Sequence, residues 1–369
     1  MAKDLVKKDR KSLTEAAGKE IKAAFSLDKF KANKGLGGNV KFKAQDWIPF
    51  SPALQEALSI PGCPKGHIMI VRGKSNTGKS TTSIELAVNA QKKGVLPVLI
   101  ITEMKHSWEH WRQMGFEMTD VVDETTGEIL DHEGFFIYRD RSTINSIEDV
   151  ATFVLDMLSE QKKGNLPYDL LFLWDSVGSI ACDMSIEKGT NNPMWNAGAI
   201  ATQFGNFINQ QIVLSRKESS KYTNTLLIVN KVGVAPALTP MSQPRMTNKG
   251  GDTFYYDSSI CLTFGNITNA GTSKINAMKD KKKVEFALRT KIACDKNHVN
   301  GITTVGTIIS TVHGFIKDDP NAVKKYKELH SHEWADILGD GTYSVVEDNS
   351  EWDETKPNSD MFDDNLDDK

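Results

Sequence analysis

From Trp47 onward the chain alternates short, wholly apolar runs with stretches whose apolar residues recur every three or four positions. His67-Ile-Met-Ile-Val-Arg72 reads as a buried strand and Thr81-Thr-Ser-Ile-Glu-Leu-Ala-Val-Asn-Ala90 as a helix. Runs of the first kind predict strands over Ile68–Arg72, Leu96–Thr102, Phe135–Tyr138, Leu170–Asp175, Thr225–Asn230, Ser259–Phe264, Val284–Ile292 and Gly306–Ser310. Strands apolar on both faces and separated by helices predict an α/β domain whose mostly parallel sheet is covered on both sides. The last strands follow one another with little helix between them, so an antiparallel extension is expected at one edge, with the Lys279–Lys283 cluster in a hairpin turn. Thr126-Gly127 between two short apolar patches predicts a surface hairpin over Val121–Leu130. Ahead of this pattern, residues 1–24 read as a basic helix with apolar Leu13, Ala16, Ala17, Ile21 and Ala24. A glycine-containing linker, Lys34–Gly38, and a short alternating strand, Val40–Ala44, follow it.

Composition narrows the class. A chain of 369 residues can bury a large core. No apolar run is long enough to span a bilayer, and the N-terminus lacks the apolar core of a secretory signal, so a cytoplasmic protein with no membrane partner is expected. Cys63, Cys182, Cys261 and Cys294 are scattered and form no C-x-x-C pair, which argues against zinc ribbons and disulfide frameworks. The net charge of −3 hides an asymmetry: residues 1–50 carry twelve Lys/Arg against six Asp/Glu, and residues 347–369 ten Asp/Glu against two Lys. A basic arm suits polyanions, and an acidic tail suits self-screening or basic partners. With only Trp352, Met361, Phe362 and Leu366 to bury, the tail is expected to be disordered. The pattern divides the chain into an arm (1–46), a core (47–315), a short extension (316–346) and the tail (347–369).

The strongest chemical signal is Gly73-Lys74-Ser75-Asn76-Thr77-Gly78-Lys79-Ser80, the pattern G-x-x-x-x-G-K-[ST] between a strand and a helix. Backbone amides of such a loop cap a phosphate at the N-terminus of the helix that Thr81 continues. Lys79 supplies a point charge for the outer phosphates, and the Ser80 hydroxyl can ligate magnesium. A nucleoside triphosphate and Mg2+ are therefore expected. Leu170-Leu-Phe-Leu-Trp-Asp175 supplies the second acid for the metal at a strand end, and Glu103, ending Val98-Leu-Ile-Ile-Thr-Glu103, is the candidate general base for an attacking water.

Together these residues resemble the RecA-type recombinases, especially the UvsX-like branch of tailed bacteriophages, over residues 47–312. Leu54-x-x-Ala57-Leu58 and Gly62-x-Pro64-x-Gly66-x-Ile68 look like the entry to that family's nucleotide-binding core, and the run from Glu103 to Arg112-Gln-Met-Gly115 has its spacing. The resemblance implies a RecA-like P-loop core with ATP as nucleotide, and it places Ser107 and His110 at the adenine, where the family usually has Tyr in place of His110. It implies that Thr225-Leu-Leu-Ile-Val-Asn230-Lys231 ends at the γ-phosphate and signals to DNA, with Lys231 where bacterial members have Gln. In the family the stretches equivalent to Cys182–Ala197 and Val232–Gly251 are loops that hold DNA. Here Lys188, Asn191, Asn192, Arg245, Asn248 and Lys249 suit phosphates; Met194, Trp195, Val232 and Val234 suit wedging or stacking between bases; Gly250-Gly251 closes the second stretch. Arg289 and Lys291, on one strand face by the period of two, resemble residues that reach a neighbouring subunit's ATP.

The implied activity is a DNA-dependent ATPase that forms helical filaments on single-stranded DNA, compares it with a duplex and exchanges strands in homologous recombination and repair. The implied linkage between subunits is the arm, with Phe25, Phe30 or Phe42 as its anchor, and a recombination mediator or single-strand-binding protein is a candidate partner of the tail. Phage origin would place it in the host cytoplasm. A hexameric RecA-fold helicase and a regulatory RecA-fold ATPase that binds protein are the alternatives.

Overall fold

The structure, a computed structural model, describes residues 41–235, 245–265, 273–279, 282–335 and 344–346. The chain divides into two units, and the second holds the described residues from Ala44 onward. The predicted N-terminal helix and linker, Phe25 and Phe30, and the acidic tail lie outside the described residues.

The second unit opens with a two-stranded antiparallel ladder, β1 (Trp47–Pro49) against β2 (Gly62–Pro64), flanking helix α1 (Pro52–Leu58). Strand β3 (Ile68–Gly73) leads through the glycine-rich loop into α2 (Lys79–Lys92), then β4 (Leu96–Ile101) and the short α3 (Trp108–Gln113). A surface hairpin of β5 (Thr119–Val122) and β6 (Ile129–Glu133) precedes β7 (Ile137–Asp140), α4 (Ile147–Lys163) and β8 (Leu170–Asp175). Helices α5 (Asp183–Glu187), α6 (Pro193–Ile200) and α7 (Asn209–Leu214) follow, the last two joined by a π-helical stretch, Ala201–Ile208. Then come β9 (Thr225–Ala235), β10 (Arg245–Asn248), α8 (Thr253–Asp257) and β11 (Ile260–Gly265). The chain goes on through β12 (Lys274–Lys279), β13 (Lys282–Asn297), β14 (Thr304–Thr311), β15 (Gly314–Lys317), α9 (Pro320–His330) and β16 (Ser344–Val346).

The main sheet runs β15-β14-β13-β11-β3-β9-β8-β4-β7. From β11 to β7 every neighbouring pair is parallel, and β13, β14 and β15 extend the β11 edge in antiparallel fashion, as the pattern predicted. Because side chains alternate along a strand, each parallel strand feeds two cores. Met69, Val71, Leu99, Leu173 and Leu227 pack on one face with Ile84, Leu86 and Ala87 of α2. Ile68, Ile70, Ile100, Phe172 and Ile228 pack on the other with Ile147, Val150 and Val154 of α4. The register of α4 is set at its ends: Ser146 and Asp149 form a reciprocal capping box, and Gly164 closes the helix in the left-handed conformation at φ 90°. A smaller third cluster joins Ile275, Phe286 and Ile309 to Val323, Tyr326 and Trp334.

Three expectations are corrected in detail. The strand expected at Phe135–Tyr138 begins at Ile137, since a tight turn in which Phe136 N–H donates to Gly134 O (2.9 Å) occupies the earlier positions. The strand expected to end at Asn230 continues to Ala235, because Val232–Ala235 pairs antiparallel with Arg245–Asn248. Cys182–Ala197, read as loop, holds α5 and most of α6, which Pro193 opens as a first-turn proline and Asn192 caps by accepting from Met194 N–H at 2.9 Å. Lys279 pairs with Lys282 across the β12–β13 ladder, and residues 280–281 between them lie outside the described residues. Among the described residues no helix is long and apolar enough to cross a membrane.

Candidate nucleotide site

The ends of β3, β9, β8 and β4 are neighbours in the sheet, so the residues that leave those ends converge. A cavity of about 470 Å3 opens there, lined by the loop Ser75–Thr81 and by Glu103, Asp175 and Lys231, among others. Two glycines shape the loop. At Gly73, with φ 153°, a Cβ would lie 2.3 Å from the Phe264 carbonyl oxygen; at Gly78, with φ 97°, it would meet the Phe315 ring at 2.9 Å. The loop amides thus arrive at the N-terminus of α2, where a helix favours an anion.

Lys79 is buried at 6% exposure, and its ammonium donates to the Lys74 carbonyl. Burial holds it down to about 8, against the pull of Asp175 and Glu103. Ser80 Oγ donates to Asp175 Oδ2 at 2.8 Å, which brings together the two expected metal ligands. Burial pushes Asp175 up to about 6, and the nearby Glu103 carboxylate adds to the rise against the Ser80 hydrogen bond. Its second oxygen, Oδ1, is buried without a hydrogen-bond partner. A carboxylate with an orphaned oxygen beside a serine hydroxyl is a donor set that fits a hard divalent cation such as Mg2+. The Asp175–Ser176 peptide bond is cis.

Glu103 follows β4 and accepts from Lys231 Nζ at 2.6 Å. Its strand end is fixed behind it: Thr102 and Glu103 N–H both donate to Asp175 O, and Thr102 Oγ1 donates to Ser176 O while accepting from Trp174 Nε1. Asn230 is buried at 1% exposure with Oδ1 unpartnered, next to Lys231 on β9. Ser107 caps α3, and both Ser107 and His110, the residues expected at the base, line the cavity. Burial lowers the His110 imidazole below its ordinary value, and its Nε2 has no hydrogen-bond partner. Lys105, His106, Trp111 and Thr311 also line the cavity and were not anticipated. The first three follow Glu103 closely, so proximity to the base was the available signal; Thr311 arrives from a distant strand and gave none.

Arg289 and Lys291 lie on β13, whose register with β14 runs unbroken from Ala287 to Cys294, so both occupy one face. Neither lines the cavity of its own chain, and Arg289 Nε donates to Asp318 Oδ1 at 2.7 Å.

The residues expected at DNA fall into two groups. Lys188 caps the end of α5 and is exposed; Met194 is 82% exposed; Lys249 is exposed, and its N–H donates to Lys231 O at 3.1 Å. Others have structural work: Asn191 Oδ1 accepts from Asn196 Nδ2 at 2.7 Å, Asn192 caps α6, Trp195 packs partly buried on the second core, and Asn248 Nδ2 donates to Asp252 Oδ1. Val232 is half-buried on β9, Val234 and Arg245 occupy the β9–β10 ladder, and Gly250 and Gly251 take φ of 79° and 83° beyond it. Arg72, on β3, reaches this segment through a long contact from its guanidinium to Asn248 Oδ1 (3.4 Å), while donating to Asp295 Oδ2 (2.6 Å) and Thr263 Oγ1 (2.9 Å) and lying over Tyr255.

No family model matches the chain. It is 26% identical over 291 residues to Protein RecA of Wolbachia pipientis subsp. Culex pipiens (strain wPip), covering 68% of this chain and 82% of that protein. Over 287 residues it is 26% identical to Protein RecA of Wolbachia sp. subsp. Brugia malayi (strain TRS), covering 71% and 80%. A shorter stretch of 72 residues is 35% identical to Protein RecA of Bifidobacterium breve, covering 20% and 18%. Similarity over that much of the chain, with a central sheet that is mostly parallel, supports a RecA-type recombinase.

Proposed function

We propose that this chain is an ATP-dependent DNA strand-exchange recombinase that assembles helical filaments on single-stranded DNA. The observation that carries the reading is the convergence of Lys79, the Ser80–Asp175 pair and the Glu103–Lys231 pair on one cavity, in a chain similar to RecA proteins over two-thirds of its length. The loop amides and Lys79 bind and orient the phosphates of ATP. Ser80 and Asp175 would hold Mg2+, which when bound neutralises phosphate charge. Glu103 orients the attacking water and accepts its proton, and Asn230 and Lys231 sense the terminal phosphate.

Lys231 connects this chemistry to DNA. Its ammonium holds Glu103, and its carbonyl holds Lys249 in the segment assigned to DNA, so a phosphate drawn to Lys249 bears on the position of the base. Lys188 and Met194 complete the outward-facing contact, with Asn248 and the Gly250-Gly251 turn setting its shape. Arg289 and Lys291 serve a neighbouring subunit's ATP. The UvsX-like branch, phage origin, a cytoplasmic setting, the arm as linkage and a mediator or single-strand-binding protein at the tail belong to the same proposal.

Negative-stain electron microscopy with long single-stranded DNA and a slowly hydrolysed ATP analogue tests it. Continuous helical filaments are expected. Closed six-membered rings would instead establish a helicase, and DNA-free particles a regulatory ATPase.

A further inference from the structure

Behind the cavity wall, the turn between β14 and β15 meets the end of α9. Thr311 and Val312 line the cavity, and the next residue, His313, is not part of that lining. Its imidazole stacks on that of His330 with centroids 3.9 Å apart, and the carboxylate of Glu333 reaches both: Oε1 lies 3.3 Å from His313 Nε2 and 2.8 Å from His330 Nδ1. One ligand atom from each of the three lies within 4.8 Å of the others. From these distances and donor types we propose that His313, His330 and Glu333 form a binding site for a divalent transition metal, with zinc as the expected ion.

Two imidazole nitrogens and one carboxylate oxygen suit Zn2+ better than Mg2+ or Ca2+, which favour oxygen. Around zinc, tetrahedral ligand atoms stand roughly 3.3 Å apart. The His313–Glu333 separation already has that value, and the His330–Glu333 pair needs to open by about half an ångström. The fourth position takes water or His332, whose Nε2 is 4.0 Å from the same carboxylate oxygen on an exposed side chain.

The surroundings of His313 are those of a ligand. Its Nδ1 is 2.8 Å from Tyr326 OH. In the tautomer whose Nδ1–H donates to Tyr326 OH, the Nε2 lone pair is left on the side of Glu333. Fixing one ring nitrogen by a hydrogen bond so that the other is available is what second partners of metal-bound histidines do. A metal here would tie the β14–β15 turn, and with it the Thr311–Val312 wall of the cavity, to the end of α9. The site goes beyond the proposed function and does not depend on it.

The test is titration of the full chain, stripped with chelator and free of nucleotide, with Co2+ and then with Zn2+ against a chromogenic chelator. One ion per chain is expected, with the intense visible absorption of four-coordinate Co2+. The His313→Ala/His330→Ala variant should bind at least about 100-fold more weakly, and Tyr326→Phe, a positioning change, about 10-fold more weakly. Circular dichroism in chelator checks that the variants fold. Glu333→Gln, at a more exposed position, supplies the loss of binding if the histidine double variant does not fold. Absence of a bound ion in the wild type, or unchanged stoichiometry and affinity in folded double and Glu333→Gln variants, would overturn the site.

Discussion

Around the cavity, charged groups are drawn out of water. Lys79 is 6% exposed, Asp175 carries an orphaned oxygen, and the loop glycines leave no room for a Cβ. Along the surface from α5 to β10 the reverse holds: Met194 stands 82% exposed, Lys188 and Lys249 reach outward, and the polar residues between them cap helices and brace turns. The difference teaches which kind of ligand each region can discriminate. A buried, preformed cradle makes interactions strengthened by low dielectric and is suited to one small anion in one geometry. An exposed surface of lysine and methionine makes screened, sequence-tolerant contacts, suited to a polymer that repeats.

Breaking the chemistry of the cavity should have the largest effect. Glu103→Gln is expected to lower ATP turnover by about 10²- to 10⁴-fold with nucleotide affinity changed only a few-fold, and filaments should still form. Steady-state phosphate release beside equilibrium nucleotide binding checks this, and wild-type turnover would remove Glu103 from the base role. Lys79→Ala should cost about 2–5 kcal/mol of nucleotide affinity, read by calorimetry, because it deletes a buried charge partner of the phosphates. Retained affinity would show that the loop amides alone hold the ligand.

The foundation beneath the cavity offers a pH test. At the opposite end of β3 from the loop, His67 Nε2–H donates to Gln45 Oε1 at 3.0 Å and Nδ1 accepts from Ser259 Oγ at 2.7 Å, a neutral ring satisfied on both sides. Burial, helped by the Arg216 charge, depresses it from 6.5 to about 4. As pH falls below 6.5 the unfolded chain takes up this proton first, so the contribution is complete above 6.5 and is lost on approach to pH 4, roughly 3 kcal/mol in all. Urea melts across that range should show the fall, and a folded His67→Gln variant should flatten part of it.

The smallest effect belongs to the exposed surface. Met194→Ala should weaken binding to single-stranded DNA by about 1 kcal/mol with nucleotide affinity unchanged, and Lys249→Ala should lower the salt slope by about one unit. Filter binding at several salt concentrations separates the two. Equal losses at the cavity and the surface would collapse the contrast between the regions.

How much of this was legible in the sequence depended on the range of the interaction. The phosphate loop, the strand ending at Asp175 and the two-sided apolar strands are local: each is specified by neighbours within a dozen positions. The β9–β10 pairing was not legible, because Val232–Ala235 becomes strand only when Arg245–Asn248 returns beside it. The short helices of Cys182–Ala197 were missed because they carry too few turns for a periodicity to show.

The sequence by itself determined that a glycine-rich loop of the phosphate-binding pattern sits between strand and helix, that Asp175 ends one apolar strand and Glu103 follows another, and that the last strands run antiparallel. Only the tertiary structure decided that Lys231 holds Glu103, that Trp195 packs inward while Met194 faces out, and that His313 meets His330 and Glu333. Local order follows from backbone geometry and the alternation of side chains along one segment. The pairing of side chains from distant segments follows from strand order, a property of the assembled sheet that no single segment contains.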